Sequence, residues 1–338
     1  MDPLVFEPYF RPQIWGGRRL GRFLDRRLPA GPCGEAWMLS AHAEHVSRVA
    51  DGPLRGTPLT ELWTARAAEL RGRADRAGAF PLLVKYLDCQ DLLSIQVHPN
   101  DETAARLCPG ESGKTEAWVV IEAEPTARIY AGLRPGITPA ALERHLDAGT
   151  LDECLHSFAP RPGQSLLLPA GTVHAAGGGL LLAEVQQSSD ATFRLFDWNR
   201  AGPDGRPRAL HRREALMAID WSPGPVVAAE GRPLAGLPAG VRGERLVACP
   251  YFAMDRYELA APLPLPYPGQ MAVWMVLAGA LLLSGQQTTY ARWFRTGETL
   301  LVPAAAPALR WTPAEPASPA TLLGIIEPVE ETDGCAAH

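Results

Sequence analysis

The chain has no long apolar run and no concentration of positive charge. Its 338 residues contain no stretch of 18 apolar residues, and the start, MDPLVFEPYFRPQIWGG, has no basic segment followed by an apolar one. A membrane helix and a secretory signal are therefore not expected, and the cytoplasm is the expected location. The formal net charge is −5 and no cluster of five or more basic residues occurs, which argues against a nucleic-acid or membrane partner.

Cysteine pairs and nucleotide-binding loops are also missing. The six cysteines lie far apart and form no C-x-x-C pair, which favours reduced thiols over a disulfide framework or a zinc ribbon. Gly113, Lys114 and Thr115 match the end of a P-loop. However, Cys108 stands where that motif needs its first glycine. No G-x-G-x-x-G unit follows a predicted strand, so a nicotinamide or flavin cofactor is not expected.

The chain does contain a short, distinctive motif, PGQSLLLPAGTVHA, at residues 162–175. A glycine turn comes before the apolar strand Ser165–Leu168, and a second turn follows this strand and comes directly before His174. Such a turn places the histidine at the start of a strand, facing inward. A histidine in that position can bind a metal ion.

The motif has an incomplete second copy 134 residues later, GETLLVPAAAPA. At this offset Pro303 matches Pro169, but Ala308 stands where the first copy has His174. A repeat of this kind indicates a duplicated architecture. We therefore expect two similar β-domains, of which only the first keeps its chemistry.

The composition and the strand pattern together predict the fold class. With 46% hydrophobic and 20% charged residues, the chain can close two ordinary cores. Short strand patterns bounded by glycine and proline recur in both halves, and a few short helices lie between them. We expect a mainly β protein with two double-stranded β-helix (jelly-roll) domains. The predicted division is a metal-binding domain at residues 1–200, a linker with a helix at 201–245, and a degenerate domain without a metal site at 246–330.

Four polar residues on the predicted strands are candidates for one site. In the segment SIQVH, side-chain alternation puts Gln96 and His98 on one face and apolar residues on the other. Glu116 begins a later apolar strand, and His174 begins the strand after the motif. Two imidazoles, a carboxylate and an amide oxygen suit a divalent ion. Zinc is the first choice, and iron, cobalt and manganese are also compatible with these ligands.

Several segments together resemble the type I phosphomannose isomerases of the cupin superfamily. They are LLSIQVHPND (92–101), GKTEAW (113–118), LLPAGTVHA (167–175) and EVQQSSDATFRLFDWNR (184–200), with PQIWGG near the start and GEAWMLSAH at 34–42. The similarity spans the chain. The interval between Glu116 and His174 is short, which resembles the compact bacterial form without most of the inserted helical domain of the longer members.

The resemblance implies a cupin-type fold for both domains and a ligand set in the first. His98, Glu116 and His174 would bind one zinc ion per chain. Gln96 would be a fourth ligand, since the longer members carry glutamine there.

The resemblance also implies that Arg194 and Lys114 are catalytic. Arg194 lies in an apolar run, where a permanent cation needs an anionic partner such as a sugar phosphate or an enediolate. Lys114 lies two residues before Glu116, so the two face the same way if the strand extends that far. The substrate-binding residues that we expect are Ser94, Lys114, Glu184 and Arg194, with Lys85 as a further candidate for the pocket wall.

The implied reaction interconverts mannose 6-phosphate and fructose 6-phosphate through a cis-enediol. A proton leaves the carbon beside the carbonyl and returns to its neighbour, so charge develops on oxygen, where zinc and Arg194 would stabilise it. A base must move the proton. Lys114, Glu184 and a zinc-bound water are alternatives that the sequence leaves open. The only partner expected is a small sugar phosphate, and no obligate protein partner is inferred.

Two other classes of function use the same ligand residues. An iron-dependent cupin oxygenase would use His98, Glu116 and His174 as a facial triad. A non-catalytic cupin that binds sugar phosphates would keep the pocket without turnover. Metal analysis combined with oxygen uptake separates the first from an isomerase, and binding of mannose 6-phosphate without turnover identifies the second.

Overall fold

A computed structural model describes residues 1–72, 78–202, 205–315 and 317–328. The predicted mainly β fold class is confirmed. None of its described helices is long and apolar enough to cross a membrane. Cys335 and His338 lie outside the described residues, and the remaining cysteines form no disulfides: Cys33, Cys89, Cys108, Cys154 and Cys249.

The described helices are short, and two of them begin at a side-chain cap. Asn100 caps one helix by accepting a hydrogen bond from the backbone N–H of Thr103, and Thr138 caps another directly before a proline. The α-helices are α1 (Arg19–Phe23), α2 (Leu59–Ala65), α3 (Ala67–Arg71), α4 (Asp101–Leu107), α5 (Pro139–Ala148) and α6 (Arg212–Ala218), and Leu151–Cys154 is a 3-10 helix.

Among the described residues, strands make up most of the regular secondary structure. The longer strands are rich in apolar, β-branched and aromatic residues. The first fourteen strands are β1 (Leu4–Val5), β2 (Tyr9–Gly17), β3 (Cys33–Leu39), β4 (Ala41–His42), β5 (His45–Val46), β6 (Leu82–Cys89), β7 (Ile95–Val97), β8 (Glu116–Ala123), β9 (Arg128–Leu133), β10 (Leu155–Phe158), β11 (Ser165–Leu168), β12 (His174–Gly177), β13 (Leu180–Gln187) and β14 (Phe193–Phe196). The others are β15 (Arg232–Pro233), β16 (Val241–Ala248), β17 (Ala253–Leu259), β18 (Leu263–Pro264), β19 (Ala272–Ala278), β20 (Ala280–Ser284), β21 (Ala291–Arg295), β22 (Thr299–Val302), β23 (Arg310–Pro313) and β24 (Ala320–Ile326).

The chain forms two compact units. The larger unit comprises Glu7–Arg48 and Phe80–Glu230, and the smaller unit comprises Met1–Phe6, Val49–Ala79 and Gly231–His338. The smaller unit thus takes two segments from the first 200 residues, and the stretch predicted as a linker divides between the units at Glu230. The boundaries drawn from the sequence, at 200 and 245, remain a prediction about which segments fold independently.

The larger unit contains two principal antiparallel sheets in the described part of the chain. Their strand orders are β11-β8-β13-β6-β2-β3 and β10-β9-β12-β7-β14. One apolar cluster centres on Trp118 and Leu182, and another on Val97 and Leu195. All eight residues of the central strand β13 are buried. These sheets carry the candidate site residues.

The smaller unit repeats this strand order over its described residues. Its sheets run β1-β22-β19-β24-β17-β16-β15 and β18-β23-β20-β21, so β22-β19-β24-β17 corresponds to β11-β8-β13-β6. The motif at 162–175 and its second copy both give a four-residue strand, β11 and β22. In the larger unit Glu116 lies opposite Leu168, whereas Ala272 lies opposite Val302 in the smaller unit. An alanine thus occupies the position of Glu116.

Candidate active site

Three side chains with metal-binding atoms converge in the larger unit. His98 directly follows β7, Glu116 is the first residue of β8, and His174 is the first residue of β12. Pairing of β12 with β7 sets His174 opposite Gln96. One potential ligand atom from each of the three lies within 4.8 Å of the others. The fold therefore brings together three of the four ligands proposed from the sequence and places the fourth beside them.

Glu116 lies between the two histidines. Its Oε1 atom is 3.2 Å from Nε2 of His174, and its Oε2 atom is 3.3 Å from Nε2 of His98. The centroids of the two imidazole rings are 4.8 Å apart. Both Nε2 atoms and the carboxylate thus face one small volume.

Backbone carbonyls fix the tautomer of both histidines. Nδ1 of His98 donates to the carbonyl of Ala191 at 2.8 Å, and Nδ1 of His174 donates to the carbonyl of Thr172 at 2.9 Å. Because a carbonyl oxygen only accepts, the proton of each neutral ring is on Nδ1 and the lone pair is on Nε2. A second hydrogen bond of this kind is usual for histidines that bind metals.

Glu116 places a negative charge in a buried position. Its side chain is 1% exposed, and neither carboxylate oxygen accepts a hydrogen bond. Burial by itself would raise the pKa of Glu116, but the Lys114 ammonium and the facing imidazoles outweigh it and hold that pKa well below its ordinary value. Burial, together with the Lys114 ammonium, lowers the pKa of His98 to about 3, which keeps its ring neutral.

This donor set fits a divalent metal ion. Two neutral imidazole nitrogens and one carboxylate are the ligand types that zinc and related ions take. The observation that decides the fit is the pair of Glu116 oxygens, which are buried without a hydrogen-bond donor. The Lys114 ammonium approaches only Oε2, at 3.2 Å, so a metal cation would add the stabilisation that hydrogen bonds do not supply to this carboxylate.

Lys114 lies at the edge of the three-residue cluster. Its Nζ atom is 3.2 Å from Oε2 of Glu116 and 3.0 Å from Nε2 of His98. The loop that carries it is held by a hydrogen bond from the Lys114 backbone N–H to the carbonyl of Pro99. Lys114 and Glu116 therefore approach the same site, although β8 begins only at Glu116 and does not extend to Lys114 as that prediction required.

Gln96 faces the cluster with its amide nitrogen. Nε2 of Gln96 is 3.4 Å from Nε2 of His174, while its Oε1 atom accepts a hydrogen bond from Ser94 at 3.3 Å. A half-turn of the side-chain amide exchanges the oxygen and the nitrogen. Metal binding by Gln96 requires this exchange, because the amide oxygen is the ligand atom.

A cavity of about 250 Å³ opens beside the cluster, within the larger unit. Every substrate-binding residue proposed from the sequence lines it, as do Gln96 and Lys85. The lining residues that the sequence did not single out for the site include Arg11, Glu35, Asp190, Thr192 and Arg208.

Arg194 lies opposite Gln96 in the pairing of β14 with β7. Its Nε atom donates to Oγ of Ser94 at 3.2 Å, and its Nη1 atom donates to the carbonyl of Ala209 at 3.0 Å. Burial lowers the pKa of Arg194, and the positive charges of Arg208 and Arg200 add to this effect. Among the residues that the structure describes, no carboxylate lies within 4.0 Å of this guanidinium.

Lys85 and Glu184 form a buried ion pair in the cavity wall. Nζ of Lys85 is 3.2 Å from Oε1 of Glu184 and 3.7 Å from Oε2 of Glu35. Burial by itself would lower the pKa of Lys85, but these two carboxylates raise it above its ordinary value. Trp118 donates from its indole nitrogen to Glu184 at 2.8 Å. We expected Lys85 only as part of the pocket wall and Glu184 as a substrate-binding residue and a candidate base. The structure shows that the two are charge partners.

Asp190 and Arg11 extend this charged wall. Nη1 of Arg11 donates to Oδ2 of Asp190 at 2.9 Å. Burial would raise the pKa of Asp190, but Lys85, Lys114 and Arg11 together lower it. In the sequence, Arg11 and Asp190 are single charged residues among uncharged neighbours. The pairing that joins residues about 180 positions apart cannot be read from this local pattern.

The catalytic-domain model of phosphomannose isomerase type I matches residues 4–117. A mannose-6-phosphate isomerase of Streptococcus mutans is 35% identical over 307 residues, which are 89% of this chain and 92% of that protein. A mannose-6-phosphate isomerase of Bacillus subtilis is 34% identical over 303 residues, which are 89% of this chain and 93% of that protein. Both relatives are therefore similar over nearly their full length.

Solved structures show a similar fold. A crystal structure of the mannose 6-phosphate isomerase from Bacillus subtilis aligns with a TM-score of 0.87 and 30% identity, covering 96% of this chain and 99% of that chain. The structure of a putative mannosephosphate isomerase from Archaeoglobus fulgidus aligns with a TM-score of 0.76 at 21% identity, over 97% and 99% of the two chains. At that lower identity the likeness concerns the fold alone.

Proposed function

This chain belongs to the type I phosphomannose isomerase family, and on that premise we propose that it interconverts mannose 6-phosphate and fructose 6-phosphate at the site around Glu116. The observation that carries the proposal is the convergence of His98, Glu116 and His174 beside a cavity lined by Lys114 and Arg194. A cluster of possible metal ligands beside positively charged side chains is what an aldose–ketose isomerisation of a sugar phosphate needs.

We propose that His98, Glu116 and His174 hold one zinc ion, with Gln96 as a fourth ligand after its amide has turned. When bound, zinc would supply a Lewis acid that stabilises negative charge on a substrate oxygen. The other roles, which are to orient the metal ligands, bind the substrate and move the proton, belong to groups of the protein itself. The carbonyls of Ala191 and Thr172 keep both imidazoles in the tautomer that leaves Nε2 free.

Positive charge in the cavity binds and orients the anionic substrate. Lys114 and Arg194 present cations to it, and Ser94 connects Arg194 to Gln96 through hydrogen bonds. Arg194 is partly buried with no carboxylate within 4.0 Å in the described structure, so negative charge on the substrate would supply its missing counter-charge.

Two groups in the cavity can carry the proton between the carbons. Lys114 lies next to the proposed metal ligands, 3.2 Å from Glu116. Glu184 lines the same cavity, and burial raises its pKa, although the Lys85 ammonium opposes that shift. We assign proton transfer to Lys114, because its Nζ atom lies next to two of the proposed metal ligands, 3.2 Å from Glu116 and 3.0 Å from His98.

The test compares two histidine variants by metal content and by a coupled isomerase assay. His174→Ala should lose both bound zinc and conversion of mannose 6-phosphate. His156→Ala is the matched control, since His156 lies on β10 outside the cluster and should keep both. Full turnover in the His174→Ala protein would refute the proposal, and so would oxygen consumption with an iron-loaded site in place of isomerisation.

A further inference from the structure

Asp197 forms ion pairs with two arginines, Arg200 and Arg208, at one end of the cavity. It directly follows β14 and is buried. Arg208 donates from Nε to Oδ2 at 2.7 Å and from Nη2 to Oδ1 at 2.5 Å, and Arg200 donates from Nη2 to Oδ1 at 2.6 Å. Both carboxylate oxygens of Asp197 are therefore occupied by guanidinium groups.

An unusual turn points Arg200 back towards Asp197. Trp198 and Asn199 have φ angles of 57° and 53°, in the left-handed region that non-glycine residues seldom adopt. The turn is held by a hydrogen bond from the indole nitrogen of Trp198 to the carbonyl of Leu93 at 2.7 Å. Two consecutive residues of this kind persist only where surrounding contacts fix them, and such segments are concentrated at functional sites.

The segment that follows Arg208 is built around Arg194. The carbonyl of Ala209 accepts from Nη1 of Arg194 at 3.0 Å. Nδ1 of His211 accepts from the backbone N–H of Arg194 at 3.1 Å, and the His211 backbone N–H donates to the Arg194 carbonyl at 2.8 Å. Arg208 directly precedes Ala209, so these contacts keep it near Arg194.

Among the residues that the structure describes, the charges at this end of the cavity do not balance. Arg194, Arg200 and Arg208 carry three positive charges and Asp197 carries one negative charge, a net charge of +2. Elsewhere in the described cavity wall the cations have carboxylate partners: Lys85 with Glu184, Arg11 with Asp190, and Lys114 with Glu116. The unbalanced charge therefore lies at the arginine end.

Two guanidinium nitrogens at this end make no hydrogen bond with any described residue. Arg208 uses Nε and Nη2 for Asp197, which leaves Nη1, and Arg194 uses Nε and Nη1, which leaves Nη2. Both side chains line the cavity, as does Ser94. A guanidinium fork with open N–H groups matches the oxygens of a phosphate.

We propose that Arg208 is a phosphate-binding residue that acts together with Arg194, and that Asp197 is a positioning residue that holds Arg208 in place. The inference rests on the proposed function, because it assumes a sugar phosphate in the cavity. A phosphate monoester carries close to −2 at neutral pH, which matches the net charge of this end. Arg208 would then determine specificity for phosphorylated over free sugars.

The first test measures binding of inorganic phosphate to the metal-loaded protein by calorimetry, so it does not depend on isomerase activity. Arg208→Gln should weaken phosphate binding by about tenfold or more, since one charge-assisted hydrogen bond is lost. Arg213→Gln is the matched control, because Arg213 is exposed on α6. Equal phosphate affinity in the Arg208→Gln and wild-type proteins would overturn the inference, as would a wild-type protein that binds no phosphate.

The second test separates binding from turnover. Arg208→Gln should raise KM for mannose 6-phosphate about tenfold with a smaller change in kcat, and Arg208→Lys should recover part of the loss. Asp197→Asn should raise KM in the same way, and Asp197→Glu should restore some of it. Unchanged KM in Arg208→Gln would overturn this inference while leaving the isomerase intact. A wild-type protein that binds phosphate without isomerising would refute the proposed function alone.

Discussion

The ammonium of Lys85 lies 3.2 Å from Oε1 of Glu184, and both side chains are only 4% exposed. The two residues face each other across β6 and β13. A buried pair of this kind needs both members, since removal of one leaves a charge without its counter-charge in a poorly solvated position.

Breaking this pair should be costly for the fold. Lys85→Met should reduce the free energy of unfolding of the larger unit by about 3 kcal/mol, because Glu184 and Glu35 then repel each other with no cation between them. Urea denaturation followed by tryptophan fluorescence measures the loss. The double variant Lys85→Met, Glu184→Met should recover at least half of it. A double variant less stable than Lys85→Met would contradict the assignment.

Removal of the Arg194 guanidinium should separate metal binding from turnover. Arg194→Ala should retain zinc, because His98, Glu116 and His174 make no hydrogen bond or ion pair with it, and should lower kcat/KM about a hundredfold or more through lost stabilisation of substrate charge. Zinc content and steady-state kinetics on the same preparation check both parts. Near-normal turnover would show that the residue has no such role.

The candidate ligands could be found from the sequence because their positions depend on local rules. Alternation along SIQVH places Gln96 and His98 together, and a turn fixes His174 at a strand start. These rules act over a few residues, so they can be applied without knowing how the strands pair in the sheet. The fold class follows from the same local patterns of strands and turns.

The charged partners could not be predicted because they depend on non-local register. Glu35 meets Lys85 only because β3 pairs with β6, and a shift of one residue would turn Glu35 to the opposite face. Arg208 lies in a proline- and glycine-rich stretch that we expected to be a linker. Its role depends on Asp197, which lies eleven residues earlier, beyond a turn of unusual backbone conformation.

Strands β2 and β3 lie so close together at Gly16 that no side chain should fit at this position. A Cβ atom there would lie 2.3 Å from the backbone nitrogen of Gly34, too close for the two strands to stay in place. Gly16→Ala should therefore destabilise the protein by about 1–3 kcal/mol, and it should lower activity because Trp15 and Gln13 line the cavity. Gly224→Ala is the control, since a Cβ atom at Gly224 meets nothing within 4 Å. Equal melting temperatures for the two variants would contradict this packing.

The stabilisation provided by Asp197 should depend on pH. Burial would raise the pKa of Asp197, but hydrogen bonds from Arg208 and Arg200 lower it below the ordinary value. A lowered pKa in the folded state means that the ionised carboxylate stabilises the fold at every pH above about 4, and that this contribution is lost as the pH falls further. The Asp197→Asn protein should thus have a lower melting temperature than wild type at pH 7, and the difference between the two melting temperatures should become smaller below about pH 4. A difference in melting temperature that grows as the pH falls would contradict a stabilising role for the ionised Asp197 carboxylate.

The most direct test of the account is a zinc titration of metal-free protein, with bound zinc and conversion of mannose 6-phosphate measured on the same samples. We expect no conversion before zinc is added, and then a parallel rise of both quantities that ends at one zinc per chain. Full conversion by the metal-free protein would contradict the account, and so would zinc binding at His98, Glu116 and His174 without any conversion.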